Sequence, residues 1–362
     1  MRDNTIDITK GIAIILMVIG HSCCPQHLHH FIYMFHMPLF FIVSGYFFKE
    51  SYLSGFREFA WKKIKGIYFP YLKWAFIFLL LHNFFFSINF YNEEFGDVTN
   101  NNLASHVYSF SEIINRFLHI VFTMYKHEQL LGGYWFLHTL FFSSFLFWLV
   151  MLFRKQIFDK TYKDVLIAIS LILLCFVLII FKLKIPGYIG IKEILATLFL
   201  FLGFHINKLE VFSFATRWGF IIVSFLLVYL GSCFCYSAMA SVKTFSLIPF
   251  IITSLLGTMS IMGLSKKMSL SNNAVLKIIS DFLSFTGKNT LIILTFHFIC
   301  FKLVSFIIIK TNGLNIKLLA EYPVIKNYSD SGWWVVYSIV GFIVPLLFVF
   351  IMDKIKMNKL IR

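Results

Sequence analysis

Residues 165–181 read Val-Leu-Ile-Ala-Ile-Ser-Leu-Ile-Leu-Leu-Cys-Phe-Val-Leu-Ile-Ile-Phe, bracketed by Asp164 and Lys182. The run is apolar on every side, with one hydroxyl and no charge, and a helix of that kind is buried all round in a large core or in lipid. The rest of the chain decides between the two. Of 362 residues, 59% are hydrophobic, 19% aromatic and 14% charged, with 47 Phe. Soluble domains carry about 25% charged residues and about 45–50% apolar ones. This chain has too little polar surface to cover a core of its length. The composition excludes a disordered chain, a secreted disulfide scaffold and an ordinary cytosolic enzyme, and predicts an all-α polytopic membrane bundle.

A membrane-crossing helix needs about 20 mostly apolar residues. That window predicts about ten spans, at 6–24, 31–48, 67–90, 134–153, 164–182, 191–207, 218–236, 244–264, 289–309 and 332–352, in one membrane domain covering 1–362. Alternating directions put 21 Lys and Arg on the side of the N-terminus, 49–66, 154–163, 208–217, 265–288 and the C-terminus, against nine on the other side. Cytoplasmic loops collect Lys and Arg, so both termini are expected in the cytoplasm. The first apolar run lacks a cleavage pattern and is read as the start of the first span. In the longest external loop, 91–133, the stretch Glu112 to Lys126 reads as an interfacial or re-entrant helix.

The net charge of +15 fits loop asymmetry, and no basic tract is interleaved with exposed aromatics, so no nucleic-acid partner is expected. The six cysteines have neither zinc nor redox spacing. Five His between His21 and His36 surround the first external turn without a His-Glu-x-x-His pair, so no metal is expected. The chain has no Gly-x-Ser-x-Gly elbow, P-loop, dinucleotide-binding glycines or His-x4-Asp signature.

Ionisable groups inside spans cost about 2.5–3.5 kcal/mol on insertion scales and mark function. Here they are His21, His36, Lys73, His82, His138, His205, His297 and Lys302. His82, His138 and His205 are expected to be neutral imidazoles hydrogen-bonded to neighbouring helices. Lys73 can snorkel. No buried Asp or Glu is expected in the spans, which speaks against ion coupling.

A family comes into view in the order of the motifs. Arg2-Asp3-Asn4-Thr5-Ile6-Asp7-Ile8-Thr9-Lys10-Gly11, running to Gly20-His21-Ser22, is followed by Phe35-His36-Met37-Pro38-Leu39-Phe40-Phe41-Ile42-Val43-Ser44-Gly45-Tyr46. Next come Lys62-Lys63-Ile64-Lys65 before Pro70-Tyr71, then Gly133-Tyr134-Trp135-Phe136-Leu137, then Thr286-Gly287-Lys288-Asn289-Thr290-Leu291 with His297. The series resembles the acyltransferase-3 family of integral membrane acyltransferases, especially its fucose-4-O-acetylase-like branch.

That resemblance implies transfer of an acyl group, often acetyl from acetyl-CoA, to a sugar hydroxyl of a cell-surface glycan or a lipid-linked precursor. It also implies a multi-pass protein of a bacterial-type plasma membrane. Acyl-CoA enters as substrate, and no cofactor is permanently bound. The family's basic residue and His, separated by ten residues, match Lys10 and His21. Its Arg-x-x-Arg pair matches Lys62 and Lys65, where Lys keeps the charge and loses the bidentate fork.

Eleven residues are about three turns, so Lys10 and His21 share a helix face about 16 Å apart. Lys10, Lys62 and Lys65 are the candidate partners of the CoA phosphates, with Lys63 beside them. The 62–65 cluster has an alternative reading as a topology signal alone. His21 is the candidate general base or transient acyl carrier, and His297 the second catalytic candidate. His36, Ser44 and Asn289 are candidate cavity-lining groups. A transporter or flippase of a lipid-linked sugar, or a structural subunit of a glycan-assembly complex, stays open beside the enzyme.

Overall fold

The computed structural model describes residues 4–95, 105–156, 162–183, 188–208 and 211–355. Among them there is no β-strand. The helices in chain order begin with α1 (Thr5–His21), α2 (Gln26–Tyr33), α3 (His36–Tyr46), α4 (Phe56–Lys63), α5 (Phe69–Leu80) and α6 (His82–Ser87). They continue with α7 (Phe110–Thr123), α8 (Trp135–Gln156), α9 (Lys163–Phe181), α10 (Ile191–Lys208), α11 (Val211–Ala215) and α12 (Trp218–Phe234). The last five are α13 (Leu247–Ser269), α14 (Ala274–Lys288), α15 (Thr290–Thr311), α16 (Lys326–Tyr328) and α17 (Trp334–Lys354).

Six helical runs are long and apolar enough to cross a bilayer: Gln26–Tyr46, Gln129–Gln156, Lys163–Phe181, Thr244–Ser269, Thr290–Thr311 and Lys326–Lys354. Helices α1, α5 with α6, α10 and α12 occupy the other four expected spans, 6–24, 67–90, 191–207 and 218–236; α1 and α12 are 17 residues long, α5 and α6 are separated at Leu81, and the 18 residues of α10 include Lys192, Glu193 and Lys208. The chain is thus a polytopic membrane helical protein, with six runs among the described residues that meet this measure beside other apolar helices. A hydropathy window averages across breaks that the backbone makes. The expected 67–90 span breaks at Leu81, whereas Gln26–Tyr46 counts as one run across its turn at Met34–Phe35.

Two segments expected as loops are helical. In 49–66 a 3₁₀ turn, Glu50–Ser54, leads into α4, and 265–288 contains α14. Between α4 and α5 the chain takes a π-turn, Ile64–Tyr68. Pro70 follows it and has no N–H to continue the regular ladder, and an added residue in the turn accommodates this. The expected interfacial helix in the 91–133 loop is α7, capped by Ser109 Oγ, which accepts from Glu112 N at 3.3 Å. It buries Arg116 and Ile120 and exposes Phe110 and Phe122, as an amphipathic helix does.

The helices form two compact units that interleave along the chain. The first takes Met1–Ala13, His30–Tyr68 and Leu137–Lys288; the second takes Ile14–His29, Phe69–Phe136 and Asn289–Arg362. Inside the first, glycines let backbones approach closely. A Cβ at Gly45 would fall on the Leu200 carbonyl and one at Gly203 on the Ile42 carbonyl, which packs α3 against α10. One at Gly11 would fall on the Leu283 carbonyl and one at Gly287 on that of Asp7, which seats the start of α1 on α14. Small residues at such crossings are the usual device of membrane helix pairs. In the second unit, α15 packs on α17, where a Cβ at Gly341 would lie 2.5 Å from Phe301 Cε1 and 2.8 Å from Val18 Cγ1 of α1.

Candidate active site

His21 is the final residue of α1, and three serines hold that end in place. The Ser22 hydroxyl donates to the Ile19 carbonyl at 2.7 Å and pairs with Ser338 Oγ of α17 at 2.9 Å. The Ser329 hydroxyl donates to the Ser22 carbonyl, occupying an acceptor that the helix end leaves open. His297 lies fully buried within α15. Its ring sits over His21 with centroids 5.2 Å apart, and His21 Nδ1 is 3.0 Å from His297 Nε2. Phe298 stacks on the His21 ring at 5.1 Å.

The hydrogen-bond partners assign the protons of this pair. His297 Nδ1 lies 3.0 Å from the carbonyls of both Ile293 and Leu294, which only accept, so Nδ1 carries the proton. A neutral His297 then presents an unprotonated Nε2, and His21 Nδ1 must be the donor to it. The lone pair of His21 is left on Nε2, and among the described residues Nε2 makes no hydrogen bond. Two carbonyls orient one imidazole, and that imidazole fixes the tautomer of the second. A base oriented by a third group is the arrangement that activates a hydroxyl nucleophile.

The second unit holds another polar centre, which the sequence reading missed. Glu128 is fully buried, and its Oε2 lies 2.7 Å from His82 Nδ1. His82 Nε2 donates to the His106 carbonyl at 2.9 Å, so a single proton is shared between Nδ1 and Oε2. Burial pushes the Glu128 carboxyl above the usual carboxylate range, against the opposing pull of the His82 hydrogen bond. Tyr108 stacks on His82 at 3.3 Å between centroids, and Arg116 lies over Tyr108 at 4.1 Å while binding Glu112. Lys302, also fully buried, donates to the Glu321 carbonyl at 2.8 Å.

In the first unit His138 and His205 both lie beside acids. Glu193, fully buried near the start of α10, has Oε1 3.3 Å from His138 Nδ1 and accepts from Thr139 Oγ1 at 2.7 Å and Gly190 N at 2.8 Å. His205 Nε2 is 3.8 Å from Asp164 Oδ2. Buried acids therefore exist in this protein, contrary to the sequence expectation. His82 and Glu128 are 46 residues apart, and no spacing rule connects them.

The proposed donor lysines all belong to the first unit. Lys62 is exposed, donates to the Tyr52 hydroxyl and lies 4.7 Å from the centre of its ring. Lys65 is exposed in the π-turn. Lys63 is half-buried, and burial together with the neighbouring Lys62 charge lowers its amine to about 8. Lys10 is on α1, half-buried. His36 and Ser44 also lie in the first unit, each bonded within its own chain segment: His36 Nδ1 to the Ile32 carbonyl at 2.9 Å, and Ser44 Oγ to that of Phe40 at 2.8 Å. Asn289 is buried at the start of α15 in the second unit, where its side chain does not cap the helix. Of the proposed residues, the structure brings His21 and His297 into direct contact. Among the described residues no three His, Cys, Asp or Glu side chains gather as a metal site.

No curated protein and no solved structure matches the chain. One family model does, described as an acyltransferase domain and matching residues 3–352, which takes in both units and the His21–His297 pair. With the match covering nearly the whole of an all-helical membrane chain, this protein belongs to the acyltransferase-3 family of membrane acyltransferases.

Proposed function

We propose that the protein is an acyl-CoA-dependent O-acyltransferase of a bacterial-type plasma membrane. It moves an acyl group, in the first instance acetyl from acetyl-CoA, to a sugar hydroxyl of a cell-surface glycan or its lipid-linked precursor. The oriented imidazole pair is the observation that supports this reading. His21 Nε2 accepts the proton of the acceptor hydroxyl as its oxygen bonds to the thioester carbonyl carbon. The carbon–sulfur bond then breaks, and the departing CoA thiolate takes the proton back from His21. During this exchange His297 keeps the His21 Nδ1 proton engaged and the ring fixed. Lys10, Lys62 and Lys65 supply point charges for the CoA phosphates. The charge asymmetry of the loops supports cytoplasmic termini, with the donor on that side.

The test is CoA thiol release by the purified protein in lipid nanodiscs, with acetyl-CoA and a glycan acceptor. His21→Ala and His21→Gln are both expected to lower the rate by about 10²–10⁴-fold, the usual loss for a general acid–base group, while the protein stays folded and inserted. Gln keeps a hydrogen bond and cannot exchange a proton near neutral pH. CoA release near the unmutated rate in either variant would remove His21 from the mechanism.

A further inference from the structure

Gln129 opens the 3₁₀ turn Gln129–Tyr134, is 4% exposed, and among the described residues neither its amide nitrogen nor its amide oxygen has a hydrogen-bond partner. Beside it, Glu128 Oε1 is buried with no hydrogen-bond partner among the described residues, while Oε2 holds His82. Native proteins rarely bury polar atoms unpaired, and each such group needs an explanation. The turn also has a fixed relation to His297, the partner of the proposed base. It packs on α15, the Tyr134 hydroxyl pairs with Thr295 Oγ1 at 2.7 Å, and a Cβ built on Gly133 would lie 3.9 Å from His297 Cε1. Gln129 is four residues before Gly133 in the same short turn, which kinks at Leu131.

We infer that the Gln129 amide, with Glu128 Oε1 beside it, is a subsite for the ring hydroxyls of a polyhydroxylated acceptor. The chemistry favours this occupant over the donor. A carboxamide offers both donors and an acceptor, as a hydroxyl does, whereas a phosphate calls for donors or cations and an acyl chain for neither. A site built to bond hydroxyls also rejects acceptors that lack them, because its polar atoms are then left unpaired. The inference rests on the acyl-transfer reading above, and the experiment separates the two.

The chain in lipid nanodiscs is assayed for CoA release with acetyl-CoA and a panel of methyl hexopyranosides. Gln129→Met keeps the length and flexibility of the side chain and removes its polar atoms. It is expected to raise the KM for the glycosides roughly tenfold, while the KM for acetyl-CoA moves less than twofold. It is also expected to raise Tm, because two unpaired buried atoms are gone. Gln129→Asn, which shortens the amide, falls between. If the wild-type chain turns over a glycoside and Gln129→Met leaves that KM within twofold, the subsite is refuted and acyl transfer stands. A lowered Tm refutes it too, since the amide then has a structural partner. Absence of glycoside-dependent CoA release by the wild-type chain would overturn the acyl-transfer reading and the subsite with it.

Discussion

The tautomer relay from the Ile293 and Leu294 carbonyls through His297 to His21 makes a quantitative demand on a double-mutant cycle. Removing His21 as a general base should cost about 10²–10⁴ in rate, or roughly 2.7–5.4 kcal/mol of barrier at about 1.36 kcal/mol per tenfold. His297 acts through one 3.0 Å hydrogen bond to His21 Nδ1. Its loss in His297→Ala frees the His21 ring to rotate and to place its proton on either nitrogen. A rate loss of roughly 10–10³ is expected, bounded above by the effect of removing His21. Because His297 has nothing to orient once His21 is gone, the double variant should fall within about threefold of His21→Ala alone. The coupling energy then equals the whole effect of His297→Ala, about 1.4–4 kcal/mol, a size reached by residues in direct contact. Single-turnover transfer of labelled acetyl from acetyl-CoA, in nanodiscs, resolves the slow variants. Thermal denaturation checks folding, since the lost partner leaves a buried N–H unpaired at about 1–3 kcal/mol. His297→Gln, whose amide oxygen can accept from Nδ1, should recover part of the rate. A double variant slower than His21→Ala by the full factor of His297→Ala would show independent roles and refute the relay.

Replacing Lys62 and Lys65 together with Gln should raise the KM for acetyl-CoA about 2–30-fold, taking about 0.2–1 kcal/mol per exposed pair, and the effect should shrink at high salt. A change confined to expression or topology would reduce the cluster to an orientation signal. Gly287→Ala sets a methyl against the Asp7 carbonyl and should lower stability by about 1–3 kcal/mol by thermal denaturation, whereas Gly66→Ala, with nothing within 4 Å, should be close to neutral. Equal effects would contradict the α1–α14 contact. Cysteine labelling with an impermeant reagent should leave positions 62 and 277 protected and mark 100 and 327 in intact cells; position 100 lies outside the described residues. Labelling of position 62 from outside would reverse the orientation.

Several motifs that carry the family resemblance have a packing role in the structure. Gly11, Gly45 and Gly287 are points of backbone contact between helices, and Pro70 follows the π-turn. Helix class and membrane character were legible in the sequence, because lipid demands apolar side chains over a bilayer's thickness and helices satisfy their own backbone bonds. The helix boundaries were less so. Whether an apolar run stays one helix depends on local breaks such as Leu81, and hydropathy does not record them.

His21 and His297 were readable as candidates because an ionisable group in an apolar run stands out in one dimension. Their partnership was not, since a 3.0 Å bond across 276 residues is a property of how α1 and α15 pack. The same holds for Glu128 with His82 and Glu193 with His138, whose acids sit near helix ends where sequence alone reads them as solvated. Sequence by itself determined which groups are costly to bury, because transfer from water depends on the side chain alone. Only the tertiary structure decided which of them meet and which nitrogen keeps its lone pair, because hydrogen bonds are set by distances between residues far apart in the chain.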